Sequence, residues 1–241
     1  MSNPSTNQPS FTTTQSGPVI KGVVGTPKPS VIALVSLIDA TGSSGAFGTG
    51  IQYCNSVLAT ELPRNIGEVH FALHISRDLD CDRDADFSLG EDMGPDEFVK
   101  NVQRIAFEGG GDAEETQLDS CLTIARTYRW PFSAHARRAL AVFSSSSSKS
   151  TRDGMDAKQV ARELAANGIK VIVVAPQGVN LHELAAATGG YSVILSNSPQ
   201  QQDLDRAIAL LTKSLTQVAA GSGTMAMPPN ASFGARGTQA I

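Results

Sequence analysis

A strand-like apolar run that passes straight into oxygen-bearing side chains constrains this chain most: Val31 to Ser44 reads VIALVSLIDATGSS. The aliphatic stretch Val31 to Ile38 has the unbroken hydrophobicity of a strand covered on both faces, as in a parallel sheet. Asp39, Thr41 and Ser43 then fall at or just past the strand's carboxyl end. In open α/β sheets that is where ligands bind. A carboxylate and two hydroxyls at every second position suit a hard divalent cation, which prefers carboxylate, hydroxyl and water oxygens.

The rest of the sequence alternates helix and strand signals. A Gly-rich turn, Gly45 to Gly50, precedes a helix over Ile51 to Leu62 that Pro63 ends. Val69 to Ile75 alternates as a second strand, and Phe87 to Leu89 reads as a hairpin's return strand. Pro95, followed by Asp96 and Glu97, opens a helix through Ile105. Glu115 to Thr127 has helical spacing, Arg138 to Phe143 is a buried strand, and Asp156 to Asn167 is a helix closed by Gly168. Ile169 to Ala175, Leu181 to Ala187, Tyr191 to Leu195 and Asp203 to Val218 continue as strand, helix, edge strand and final helix. The pattern predicts an α/β fold: a doubly wound, mostly parallel sheet with one antiparallel edge strand and helices on both faces.

Residues 30–218 form the domain in this reading. Residues 1–29 are rich in Ser, Thr, Pro and Asn and are expected to be disordered or ordered on a partner; residues 219–241, rich in Gly, Ser, Ala and Pro, read as a flexible tail. A net charge of −4 gives no broad attraction to nucleic acid or anionic membrane. No apolar run approaches the roughly 18 residues of a membrane span. The first residues lack the charged and apolar regions of a secretory signal, and the 3 cysteines (Cys54, Cys81, Cys121) show no CxxC pair. Reduced thiols in a cytoplasmic protein fit these features.

Three stretches, in order, carry a family resemblance. Asp39-Ala40-Thr41-Gly42-Ser43 resembles the DxSxS or DxTxS metal motif of von Willebrand factor A-type (vWA, integrin I-like) domains. Gly109-Gly110-Gly111-Asp112, with Glu115 following, is similar to the GGGD-x-x-E variant of that family's second loop, found in intracellular members. Leu164 to Ala175, followed by Ala187-Thr188-Gly189-Gly190-Tyr191, looks like its last βαβ unit with an ATGG turn. The resemblance spans Ser30 to Val218 and implies a Rossmann-like fold carrying a metal-ion-dependent adhesion site. There the first motif holds Mg²⁺ or Mn²⁺, and an acidic side chain of a partner protein fills the open position. Mg²⁺ commonly keeps waters and uses one or two protein carboxylates, so an exchangeable position is physically reasonable.

The chain departs from that pattern twice. Asp112 stands where the family usually has Thr, and Ser144-Ser145 stand where it has a Thr-Asp pair. Asp112 has two readings: a ligand that replaces the carboxylate lost at Ser145, or a cap for a helix starting at Ala113. Ser144 and Ser145 read as a secondary part of the site, and the serine run through Ser148 as a flexible lip or a phosphorylation target.

Asp80, Asp82, Asp84 and Glu91 match the ligand positions of an EF-hand Ca²⁺ loop, but Ala85 replaces the turn glycine and a strand precedes in place of a helix. The alternative is a solvated acidic turn. The glycines after the first strand miss the GxGxxG spacing, and no GxxxxGK[ST] or GxSxG occurs. His70 and His74 share a strand face, and His182 reads as a helix-surface residue.

These readings converge on a non-enzymatic module that binds a protein partner, an AAA-type ATPase or another complex subunit, through the cation loops. A metal-free scaffold subunit using tails and sheet edges is the alternative, and a metal-assisted hydrolase is a third reading that lacks a general base near the motif.

Overall fold

A computed structural model describes residues 30–111, 114–130 and 136–221. Among these, six strands form one sheet: β1 (Ser30–Asp39), β2 (Gly67–Ser76), β3 (Asp86–Met93), β4 (Arg137–Phe143), β5 (Ile169–Ala175) and β6 (Tyr191–Ile194). Their spatial order is β3-β2-β1-β4-β5-β6, and every pairing is parallel except that of β2 with β3. This is the doubly wound sheet with one antiparallel edge strand that the sequence predicts. Helices α1 (Gly45–Ile66), α2 (Pro95–Val102) and α6 (Gln201–Ala219) cover one face; α3 (Gln117–Thr127), α4 (Ala157–Ala166) and α5 (His182–Thr188) cover the other.

Side-chain alternation along β1 builds both cores. Ile32, Leu34 and Ile38 pack with Phe71, Leu73 and Phe143 beneath α1 and α6, while Ala33, Val35 and Leu37 pack with Leu140, Val142 and Val173 beneath α3 and α4. Ser36, the polar residue within the run, donates to Asn55 Oδ1 at 2.8 Å, so its buried hydroxyl is satisfied.

Local signals mark most element ends. Asp156 caps α4 with a reciprocal capping box to Gln159, and Gly189 closes α5 in the left-handed region at φ +64°. Three boundaries differ from the sequence reading where packing overrides propensity. Helix α1 absorbs the glycines of the expected turn: a Cβ at Gly48 would come within 2.5 Å of the Phe107 ring, and one at Gly50 within 2.9 Å of Leu204. It also runs past Pro63 to Ile66, since Leu62 and Ile66 are both buried in the core. Helix α3 begins at Gln117, later than expected, because Glu115 is held in a parallel bridge to Ser148.

The edge strand β3 is tied to β2 by two histidines. His74 is buried against Asp86, and His70 contacts both Glu68 and Asp92. Burial pushes the Asp86 carboxyl up, but the hydrogen bond and charge of His74, with the Ser120 and Thr123 hydroxyls, outweigh it and hold it low. Cys54 and Cys121 are buried free thiols, and Cys81 is exposed. Burial, with the charge of Asp205, pushes Cys54 up to about 12. Among the described residues no helix is long and apolar enough to cross a membrane. The expected tail 1–29 lies outside the described residues, as does the expected tail 219–241 beyond residue 221; its first residue, Ala219, is the last of α6.

Two outcomes test this packing. Gly190 approaches β5 so closely that an added Cβ would overlap the Val171 carbonyl oxygen. Gly190→Ala is therefore expected to destabilise the domain by about 3 kcal/mol or more in denaturant melts. For His70, burial lowers the pKa, but the hydrogen bonds and charges of Asp92 and Glu68 outweigh it, leaving the folded value raised. Its stabilisation is then fully present below the unfolded pKa of about 6.5 and is lost as pH rises through the folded one. The melting-temperature gap between wild type and His70→Gln should shrink as pH rises across that window; a constant gap would refute the assignment.

Candidate functional site

In this strand order the chain turns outward from β1 in both directions, to β2 on one side and β4 on the other. The crevice at the carboxyl ends of β1 and β4 is thus the sheet's switch point. Asp39 closes β1 there and is buried. Its Oδ1 accepts from the Thr41 amide at 3.1 Å and the Thr41 hydroxyl at 2.7 Å, and its Oδ2 accepts from the Ser144 hydroxyl at 2.9 Å. Asp39, Thr41 and Ser43 do come together: Thr41 Oγ1 lies 3.0 Å from Ser43 Oγ, and Ser43 is the exposed member.

Two further loops close on this turn. From the β4 end, Ser145 Oγ lies 2.7 Å from Ser44 Oγ, which is 3.4 Å from Thr41 Oγ1. From the Gly-rich loop, Gly109 O accepts from the Gly42 amide at 3.1 Å and Ala40 O accepts from the Glu108 amide at 3.0 Å. Gly110, at φ +81°, lies so close that a Cβ there would be 3.2 Å from Thr41 Cβ and 3.3 Å from Glu115 Oε1. Glycine is required on both counts, conformation and space. The loop therefore brings the buried Glu115 carboxylate to the same place as Thr41.

The serine run is not a free lip. Ser144 and Ser148 are buried. Ser148 Oγ accepts from the Leu118 amide and is within 3.1 Å of the Glu115 carbonyl, while Asn180 brackets the Ser148 backbone at 2.9 and 2.7 Å. These bonds leave neither hydroxyl open to modification.

Asp112 and Ala113 lie outside the described residues, and α3 begins at Gln117. Two carboxylates of the acidic turn have partners within the protein. Asp82 accepts from the Gly110 amide at 2.9 Å and the Asp78 amide at 3.2 Å, and Asp80 pairs with Lys149 at 2.8 Å. The Lys149 hydrogen bond and charge hold Asp80 below the usual carboxylate range. Asp84 stays in the turn and Glu91 lies out along β3. Among the described residues no three His, Cys, Asp or Glu side chains gather as a metal-holding group. Asp82 instead buttresses the Gly-rich loop.

The donors around Asp39 are hard oxygens throughout, the chemistry of a Mg²⁺ or Mn²⁺ site. One further acceptor, Gln117 Oε1, is buried there without a hydrogen-bond partner. That donor set fits such an ion through oxygens of several loops rather than through an acidic cluster. Sequence reasoning missed Ser44 and Gln117. Ser44 was visible only as a neighbour of the motif, and Gln117 carries no local signal because its place at the site depends on where α3 docks.

The bond from Ser144 to Asp39 has a measurable consequence. Ser144→Ala strips a donor from a buried carboxylate and is expected to cost about 1–3 kcal/mol in thermal or urea melts. A variant as stable as wild type would show that this bond is not formed in solution.

No protein-family model and no curated protein matches this sequence. Solved structures do match its fold. The VWA domain of SpRpn10 aligns over 75% of this chain and 95% of its own length, at TM-score 0.55 and 12% identity. Proximal thread matrix protein 1 of the mussel byssus aligns over 78% of this chain at TM-score 0.61 and 12% identity, and the match spans 48% of that protein. The fold of this chain is that of a vWA domain.

Proposed function

We propose that the protein is a non-catalytic interaction module that engages a partner protein through the loops at the carboxyl edge of its sheet. In this reading Mg²⁺ or Mn²⁺ is held by Asp39, Thr41 and Ser43, with Asp112 of the Gly-rich loop as the further carboxylate. The ion's chemistry would be to accept an acidic side chain of the partner at its exchangeable position. The observation that carries the reading is the buried Asp39 with Thr41 and the exposed Ser43 assembled at the switch point. The vWA fold supports it, and a place in a multiprotein assembly, beside an AAA-type ATPase or another subunit, is the setting it suggests. Among the described histidines, His74 is bonded to Asp86, His70 to Glu68 and Asp92, and His182 to the Pro176 carbonyl, so none is bonded to the site as a general base would be.

A metal-free scaffold is the second reading, and one observation favours it. Ser144 and Ser145 close the loops with hydroxyl bonds where a vWA adhesion site has its Thr-Asp pair, and both Asp39 oxygens already have donors.

Titration of Mg²⁺ and Mn²⁺ into wild type and Asp39→Ala, followed by melting temperature, separates the two. At a hundredfold excess over Kd the adhesion-site reading expects about 2.7 kcal/mol of stabilisation in wild type and none in the variant. Identical responses would leave the scaffold. Ser145→Asp puts a carboxylate beside Ser44 and should tighten cation binding roughly tenfold or more.

A further inference from the structure

Gln117 is the first residue of α3, fully buried, and its amide Nε2 donates to Ser144 Oγ at 3.2 Å. A serine hydroxyl has one proton and two lone pairs. At Ser144 both lone pairs are taken, by Gln117 Nε2 and by the Ser146 amide at 3.3 Å. The single proton has two possible acceptors, Asp39 Oδ2 at 2.9 Å and the Ser146 carbonyl at 3.1 Å. The shorter bond to a carboxylate is the stronger one. With its acceptor side filled, the hydroxyl has its donor side left for Asp39. The opposite orientation of the Gln117 amide would present a carbonyl to Ser144 and draw the proton away from Asp39.

The side chain is held in that place from behind. The Leu118 amide donates to Ser148 Oγ at 3.0 Å, and the Lys149 amide donates to the Glu115 carbonyl at 2.8 Å, so the start of α3 is bolted to the β4 loop. The other half of the amide, Oε1, is buried with no partner. A side chain needed only to fill this space would not carry that liability, because leucine has nearly the same volume without it.

We propose that Gln117 is a positioning residue for the Asp39 site, fixing the direction of the Ser144 hydroxyl and through it the carboxylate. The inference rests on Asp39 being the centre of the site. It makes Ser144 an orienting donor with no lone pair left for a cation, and it links α3 to β1 through a chain of Gln117, Ser144 and Asp39.

A double-mutant cycle on the full chain without added metal tests the link. Gln117→Leu should lower the melting temperature by about 3 °C in wild type, the shift of one ordinary hydrogen bond in a domain of this size. In a Ser144→Ala background it should lower it by less than half as much. Equal shifts in both backgrounds would overturn the proposal. Should Gln117→Leu fail to fold, Gln117→Met takes its place in the same cycle. Mn²⁺ affinity, read by electron paramagnetic resonance, supplies the second measurement. Gln117→Leu should weaken it roughly tenfold, as loss of an orienting partner does, while Ser144→Thr, which keeps the hydroxyl, should stay within about twofold of wild type. Unchanged Mn²⁺ affinity in Gln117→Leu would count against the proposal. Absence of Mn²⁺ uptake by wild type would end the cation reading of the site and leave the cycle to decide on Gln117.

Discussion

A carboxylate buried at the end of a central strand must be met by donors or by a cation, since its charge has no water to hold it. Asp39 is that group, and the loops at the top of the sheet are arranged around it. Thr41 meets one oxygen from within the same turn, and Ser144 meets the other from the end of β4. Because β1 and β4 are adjacent but diverge in connection, the two loops approach from opposite sides and neither covers the other. The exposed Ser43 is left at the mouth.

Close backbone approach makes this arrangement possible. Gly109 and Gly110 both have positive φ and sit against Asp82 and Thr41, so the Gly-rich loop can hydrogen-bond to the backbone of the Asp39 turn directly. The acidic turn then supports the glycines from outside through Asp82. Within that acidic turn Asp82 braces the glycines and Asp80 pairs with Lys149.

Ser145 brings a hydroxyl, not a carboxylate, to this turn. A hydroxyl pair, Ser44 with Ser145, bridges the first and third loops at 2.7 Å. It joins the loops without adding negative charge. Among the described residues, Asp39 and the buried Glu115 bring carboxylates to this turn.

The sequence by itself determined the sheet and its direction. The unbroken aliphatic run of β1 and the alternating strand and helix signals leave few ways to bury both strand faces, and the Asp39, Thr41 and Ser43 spacing placed oxygen donors at a strand end. Those signals are local, written within a few residues of each element. Tertiary structure decided the rest. Pro63 and the glycines at 48 and 50 lie inside α1 because Leu62, Ile66, Phe107 and Leu204 set what fits against it. The serine run became a fixed wall through Asn180 and Glu115, and His74 became a buried partner of Asp86. Gln117 reached Asp39 by way of Ser144, across residues distant in the chain. Such pairings depend on which loops the sheet order brings together, and no local pattern encodes that order.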